Sequence, residues 1–528
     1  MQYLTISKNN IINKLPLFLI LFFLIGITII FFNVGFIITP DSTGYLEIAQ
    51  NVFKGKGPVT DDGKIITHWG FIYPLLLGIT SKIFHLTLLQ SSYLLSIIFT
   101  ITIYLDTKSI FERTIENKEN MGIFHLLFLF IIYISGIGIS SVSVMSEYLY
   151  IALTFKIINF IYRIFQSHNE TKNLIKMSII CVIIFYTRFI GFAVFISFLA
   201  FYIAYYRNYA KLLVAFILPY AFCILAWNLF VSLNKNQENG FNRVIKYHPI
   251  LHAKFIQFVN YFNSVFCFNH NNLNDTDKFL LFVIITIVFA SLIFILLNKY
   301  LSIKKDTNLY LVFLVIFYNS ILFITIMYLD ASTPLDFRLL SPILPMFIIL
   351  FIDFMVNRED KHIKTCLMVL TYMATVGAFN NFDRYKILFT DGEGLRSKTY
   401  THHENIDKLR KLKNVSKQKQ TIYSNGPDYL KANFITTKFQ FYLLPMKYYP
   451  TSKVINPNYK KQMNDVFQKL KNDSNFHLVY FNKLTWRNYL ASGVELEQMV
   501  KDVLKKSKIE KSPDGSWIIF SLNQKKIN

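Results

Sequence analysis

Asp41, in Thr39-Pro40-Asp41-Ser42, is the first acidic residue of the chain and its strongest candidate for proton transfer. A carboxylate there can take a proton from an attacking hydroxyl, or its short oxygen-bearing side chain can cap a helix. Glu147, after the turn SSVSVMS, is a second candidate carboxylate; the plainer alternative is a favourable charge at a helix N-terminus. Two arginines have the chemistry to hold phosphate: Arg188 in FYTRFIGF and Arg338 in DFRLLSPILP. Their planar guanidinium matches phosphate oxygens, but either could instead pair with Asp330, Asp336 or lipid headgroups. Metal signals are weak. His248 and His252 have i, i+4 spacing without the glutamate of a zincin motif, and His402-His403-Glu404 reads as a polar surface run. The chain has no Gly-rich phosphate loop and no nucleophile elbow, so a nucleotide-driven pump is unsupported; no cofactor is certain, and a divalent metal is the one candidate, without a ligand set to support it.

These residues punctuate a very apolar chain. It has 528 residues, is 53% hydrophobic and has a mean hydropathy of +0.37. Long apolar runs recur through the first 380 positions, the signature of a polytopic helical membrane protein. Spans are expected at 15–37, 88–105, 121–140, 145–165, 174–189, 190–206, 211–232, 279–298, 309–329, 339–356 and 363–380, eleven in all. The first is too long for a signal peptide and should remain as an anchor. The segment 71–87 is short for a crossing, holds Pro74 and Gly78, and suits a re-entrant or interfacial piece. With 71–87 not crossing, the loops on the N-terminal side carry 16 Lys/Arg in 64 residues, whereas the opposite loops carry 11 in a stretch nearly twice as long. Positive charge favours the cytoplasm, so the N-terminus is expected inside. The loop 38–87 and the C-terminal tail are then expected outside the cytoplasmic membrane.

Between the first span and 71–87, Tyr45, Ile48, Ala49, Val52 and Phe53 form one helical stripe that Gly55 and Gly57 end. Such a helix should lie in the membrane interface with its polar face toward water. Residues 381–528 change character. Strand-like runs at 421–425, 453–456, 476–481 and 516–522 alternate with helical patterns at 401–413, 458–471 and 494–508, which indicates a small α/β domain. The tail holds 27 Lys/Arg against 13 Asp/Glu, yet no zinc-finger spacing or arginine-rich tract points to nucleic acid. The four cysteines lie in or beside apolar runs and form no disulfide framework.

In order along the chain, four pieces resemble the polytopic GT-C glycosyltransferases, in particular family 39, the protein-mannosyltransferase-like and aminoarabinose-transferase-like group. They are PDSTGYLEIAQNVFKGKG from Pro40 to Gly57, HWGFIYP from His68 to Pro74, the Ser146-Glu147 turn, and RLLSPILP from Arg338 to Pro345. The tail's YSNGPDYLKANF also looks like the exported domain of such proteins. The resemblance implies a GT-C-like catalytic domain over 1–380 and an extracytoplasmic α/β domain over 381–528. It implies a membrane glycosyltransferase that moves a sugar, with inversion, from a polyprenyl-phosphate-linked donor to an extracytoplasmic glycan, lipid or protein acceptor. Asp41 would be the general base with Glu147 as second carboxylate, Arg338 and Arg188 would hold the donor phosphate, and Tyr45, His68, Trp69 and Tyr73 would line the substrate pocket. Ser42 stands where many relatives have a second acidic residue, and Trp69-Gly70 where they have two prolines. The first departure weakens any paired-carboxylate or metal role, and the second suggests a different donor or acceptor pocket. The alternative is a lipid-linked-sugar flippase without covalent chemistry, which inverted repeats would favour; none is visible.

Overall fold

The computed structural model describes residues 12–60, 65, 70–115, 118–164, 170–205, 209–233, 255–256, 258–260, 275–302, 308–329, 339, 341–356, 360–395, 397, 420–433, 439–447, 455–472, 476–481, 496, 498–499, 507–511 and 517–522. Contacts divide the chain into two units, one of 1–36 with 48–390 and the other of 37–47 with 391–528.

The first unit is helical. Its elements are α1 (Leu15–Asn33), the second half of α2 (Pro40–Phe53), α3 (Ile72–Phe84), α4 (Leu88–Thr114), α5 (Lys118–Ile134), α6 (Gly136–Ser141), α7 (Ser146–Ile164), α8 (Glu170–Thr187) and α9 (Phe192–Tyr205). Then come α10 (Tyr209–Leu212 and Leu218–Leu233, joined through a π turn), α11 (Asp275–Ser302), α12 (Asn308–Ile324), α13 (Ile343–Val356) and α14 (Asp360–Thr390). Among the described residues six helices are long and apolar enough to cross a membrane: those at 15–33, 88–114, 210–230, 276–300, 308–328 and 362–390. The other five expected spans are helical too, but shorter or more charged. The chain is thus a polytopic helical membrane protein.

The exposure pattern supports that solvent. Phe18, Phe22 and Phe32 on α1, Phe222 and Leu225 on α10, and Ile287 and Phe294 on α11 are exposed. A water-soluble bundle would not leave whole apolar helix faces uncovered; a bilayer covers them. Inward faces interlock through large aromatics such as Phe124, Phe128, Phe155, Phe198, Phe201 and Phe216, all fully buried.

Segment 71–87 forms the short helix α3. Its 13 residues span roughly 20 Å at 1.5 Å per residue, well below the hydrocarbon thickness of about 30 Å. His85 closes it in the left-handed conformation (φ 53°), and Leu86 N donates back to Ser81 O at 3.1 Å. A capping box then opens α4: Thr87 Oγ1 accepts from Gln90 N, and Gln90 Oε1 accepts from Thr87 N. Gly78 lets α3 lie directly on the second half of α2, because a Cβ there would stand 2.6 Å from Ala49 O and 2.8 Å from Val52 Cβ.

α2 departs from expectation in two ways. Its cap is Thr39, whose Oγ1 accepts from Ser42 N at 3.3 Å while Ser42 Oγ accepts from Thr39 N at 2.9 Å. Pro40 therefore takes the first helical position, where its missing N–H costs nothing, and Asp41 sits in the first turn. The polar face is also not turned to water: Ser42, Thr43 and Asn51 are buried. Asn51 Nδ2 donates to Val59 O at 2.9 Å.

The second unit is built on a five-stranded sheet in the order β2-β1-β3-β5-β4. The strands are β1 (Gln420–Ser424), β2 (Phe439–Leu443), β3 (Phe476–Phe481), β4 (Ser507–Lys511) and β5 (Trp517–Leu522), with helices α15 (Pro427–Asn433) and α16 (Tyr459–Asn472) among them. β1 pairs in parallel with both β2 and β3, and β5 pairs antiparallel with β3 and β4. On α16, Tyr459, Met463, Val466, Phe467 and Leu470 recur at helical spacing and, with Leu478, form the core. The runs at 421–425, 476–481 and 516–522 are strands as expected, and 458–471 is a helix. At 453–456 only Ile455 and Asn456 are described, and neither lies in a strand. Of the pattern at 494–508, residues 496, 498 and 499 are helical as expected, and 507–508 open the strand β4 instead. The pattern at 401–413 lies outside the described residues. Polar residues from Asn380 to Lys386 continue α14 to Thr390, past the boundary drawn at 380.

Replacing Gly78 by Leu forces α3 off α2. Overpacking of this kind costs on the order of 1–3 kcal/mol, so the expected outcome is a lowered midpoint of thermal unfolding for the purified protein.

Candidate functional site

The turn after α6 brings Ser146 and Glu147 to the start of α7, through Met145 N donating to Ser143 O at 2.9 Å. Glu147 is buried at 2% exposure. Its partner is Arg188, with Nη1 2.5 Å from Glu147 Oε1 and the arginine side chain 18% exposed. The two candidates picked separately as catalyst and phosphate ligand are therefore one ion pair. Its consequence is orientation: a carboxylate fixes one edge of the guanidinium, and a guanidinium has five donors in a fixed fork.

Arg188 sits at a break between helices. Its backbone is extended (φ −153°, ψ 133°), and the 3₁₀ turn Phe189–Gly191 leads into α9. Gly70 seats this break. A Cβ on Gly70 would lie 2.3 Å from Tyr186 O and 2.4 Å from Thr187 O, so only glycine admits that backbone approach. The departure at Trp69-Gly70 thus has a local cause at Gly70, whereas His68 and Trp69 lie outside the described residues.

An open apolar groove of about 540 Å³ begins at the same place, lined among others by Phe71, Tyr186, Phe222 and Trp227. Phe71 stacks on Trp227 with centroids 4.5 Å apart, and lies 5.0 Å from Tyr186. Tyr186, in the groove's lining, lies two residues before Arg188 in the chain. On the other side, Tyr150 and Tyr318 lie within electrostatic reach of Arg188. They line a water-sized cavity of about 10 Å³ with Thr154 and Pro342, and Tyr318 donates to Leu339 O at 2.6 Å. Sequence alone does not single out these tyrosines, which look like ordinary aromatic filling. Their clue is position: Tyr150 lies three residues after Glu147, and Tyr318 one span before the RLLSPILP stretch. Arg338 itself, with Asp330 and Asp336, lies outside the described residues.

Tyr73 is buried, with its hydroxyl 3.1 Å from Ser92 Oγ on α4. Tyr45 is buried in the first half of α2, which belongs to the other unit. Asp41 is partly exposed in that same unit. Thr39 and Ser42 exchange the capping hydrogen bonds, and the charge of Asp41 in the first turn complements the helix dipole.

A separate polar cluster joins the far ends of α4 and α7. Asn159 Nδ2 donates to the buried Asp106 at 2.7 Å, and Arg113 donates to Asn159 Oδ1 at 3.0 Å. Lys156 approaches Asp106 at 3.4 Å. This is interhelical polar fastening of the kind membrane bundles use. Among the described residues no group of three or more His, Cys, Asp or Glu could hold a metal ion; His248, His252, His402, His403 and Glu404 lie outside them.

The chain overlays ArnT from Cupriavidus metallidurans bound to undecaprenyl phosphate with TM-score 0.59 at 9% identity, covering 95% of this chain and 97% of that one. The apo state of the same protein gives TM-score 0.58 at 9% identity and the same coverage. The chain shares the fold of ArnT. This agrees with the GT-C resemblance of the motif order at the level of fold. An oligosaccharyltransferase from Archaeoglobus fulgidus overlaps at TM-score 0.42 and 12% identity, over 96% of this chain and 74% of that one, too loosely to carry an argument. No family model matches the chain, and no curated protein matches it in sequence.

Glu147→Gln tests the ion pair. Removing one partner of a buried pair typically costs on the order of 3–5 kcal/mol; the partly exposed arginine puts this case at or below the lower end. Thermal unfolding should show a clear drop, larger than for Glu147→Gln combined with Arg188→Met.

Proposed function

We propose that the protein is a membrane glycosyltransferase. It transfers a sugar from a polyprenyl-phosphate-linked donor to a hydroxyl-bearing acceptor outside the cytoplasmic membrane. The observation that carries this reading is the buried Glu147–Arg188 ion pair, which orients the guanidinium two residues along the chain from Tyr186 in the lining of an apolar groove. A lipid phosphate has those two needs, a cationic contact for its head and an apolar trough for its chain. The shared fold with ArnT, a protein solved with undecaprenyl phosphate, supports the same class of donor.

The reaction is a displacement at the anomeric carbon. The acceptor oxygen forms the new bond as the carbon–oxygen bond to phosphate breaks, so configuration inverts. The acceptor's proton passes to Asp41. Polyprenyl phosphate departs with an added negative charge, which Arg188 and Arg338 stabilise as it develops. Glu147 acts through Arg188 and does not itself accept a proton. Tyr45, His68, Trp69 and Tyr73 remain the proposed pocket for sugar and acceptor. The N-terminus is in the cytoplasm, and the sheet domain is outside. No nucleotide takes part.

A flippase would need neither a base nor a developing charge, so sugar transfer by the parent protein separates the two readings, and Asp41→Asn then tests the base. Asparagine cannot take up the proton, and loss of a general base removes on the order of 10²–10⁴-fold in rate. Since Thr39 caps α2, thermal stability should stay near the parent's. Near-parental turnover with Asn at position 41 would remove Asp41 from the mechanism.

A further inference from the structure

The second unit takes in residues 37–47 together with the C-terminal domain. This grouping rests on specific contacts. Lys431 Nζ on α15 meets Glu47 Oε2 on α2 at 2.6 Å, with the glutamate side chain 14% exposed and the lysine 30%. One turn earlier on each helix, Thr43 Oγ1 approaches Asp428 Oδ1 at 3.5 Å. The spacings match: four residues from Thr43 to Glu47 and three from Asp428 to Lys431, so one face of α2 is tied to one face of α15. Before the helix, Leu395 N donates to Ile38 O at 2.8 Å, and Ile38 bridges Gly394. Gly394 has φ 84°, and a Cβ there would stand 2.6 Å from Ile38 O. Asp41 is thus bracketed on both sides by fastenings to the tail.

The holder is itself stiff. Asn425, between β1 and α15, donates to Phe481 O and accepts from Phe481 N, both at 2.8 Å. It stitches the ends of β1 and β3, the parallel neighbours between which the sheet's winding reverses. Tyr429 on α15 is buried, its hydroxyl pKa pushed up to about 12 by desolvation, and its ring packs edge-on to Phe481 at 5.0 Å. In open α/β sheets this strand-end crevice commonly receives a ligand. In this chain the side chains beyond it reach residues 43 and 47.

We propose that the C-terminal domain is a holder for the Asp41 turn, and that Lys431 is a positioning residue acting through Glu47. The inference rests on Asp41 being the base. Proton transfer in the transition state demands placement to within a fraction of an ångström, and a 1 Å error can cost about 10²-fold. The first two turns of α2 follow directly on a loop, and helix ends fray unless they are tied down. The holder ties these turns down.

The test uses the full chain in lipid nanodiscs and compares the parent with Lys431→Gln, Lys431→Glu, Glu47→Lys and the double variant Glu47→Lys/Lys431→Glu. Two readouts are taken: amide hydrogen exchange over residues 39–47, and turnover with a polyprenyl-phosphate-linked sugar. Each single charge reversal should speed exchange there and lower kcat by roughly tenfold with the donor KM little changed, a barrier change of about 1.4 kcal/mol. Lys431→Gln should do the same more mildly, and the double variant should restore both readouts. Unchanged exchange in Lys431→Glu, faster exchange with parental kcat, or no recovery in the double variant overturns the proposal. Responsive exchange in a parent that transfers no sugar upholds the fastening but removes the catalytic role, because it is then the reading of Asp41 as base that fails.

Discussion

An ionised side chain inside a bilayer-embedded bundle must bring its partner with it, because hydrocarbon offers neither water nor counter-ions. The first unit follows this constraint throughout. Glu147 takes Arg188, Asp106 takes Asn159 and Lys156, and Asp353 takes Lys299 and the hydroxyl of Tyr300. The pairs of Asp106 and Asp353 join helices that are not consecutive in the chain, and that of Glu147 ties the start of one helix to the end of the next. Of these, the Glu147 pair has chain neighbours in both linings, Tyr186 in the apolar groove and Tyr150 in the small cavity. That setting separates a candidate for chemistry from a fastening.

Helix α2 obeys a different constraint. Its second half is buried in the helical unit, where Gly78 admits α3 to close contact. Its first half belongs with the sheet domain, through Glu47, Thr43 and Ile38. One continuous helix therefore serves two compact units, and Asp41 lies near its capped end. A side chain in that place is governed by the cap, by the dipole and by whatever holds the first two turns. Rigid support for a reacting group is what a preorganised site requires.

Much of this is legible in the sequence, and for a physical reason. Long apolar runs fix helices in a membrane almost independently of context, so each of the eleven expected segments carries a helix. Gly55 and Gly57 end α2 as their positive φ values allow. What sequence does not supply is pairing. Nothing local to Glu147 points to Arg188, and nothing near Glu47 points to Lys431, 384 residues away. Sequence alone puts the cap of α2 at Asp41, whereas Thr39 holds it, because Pro40 takes the first helical position. Gly70 stands out in sequence only as a departure from a motif, and its purpose becomes clear once its neighbours are backbone carbonyls.

The most direct measurement of the central claim is mass spectrometry of the donor lipid. Purified protein in nanodiscs would be supplied with polyprenyl-phosphate-linked sugar and an extract of envelope acceptors, with the products resolved over time. A glycosyltransferase releases polyprenyl phosphate in step with a new glycoside of inverted anomeric configuration. If the sugar–phosphate bond stays intact while proteoliposomes carry the lipid from one leaflet to the other, the protein moves its substrate without chemistry, and its assignment as a transferase is wrong.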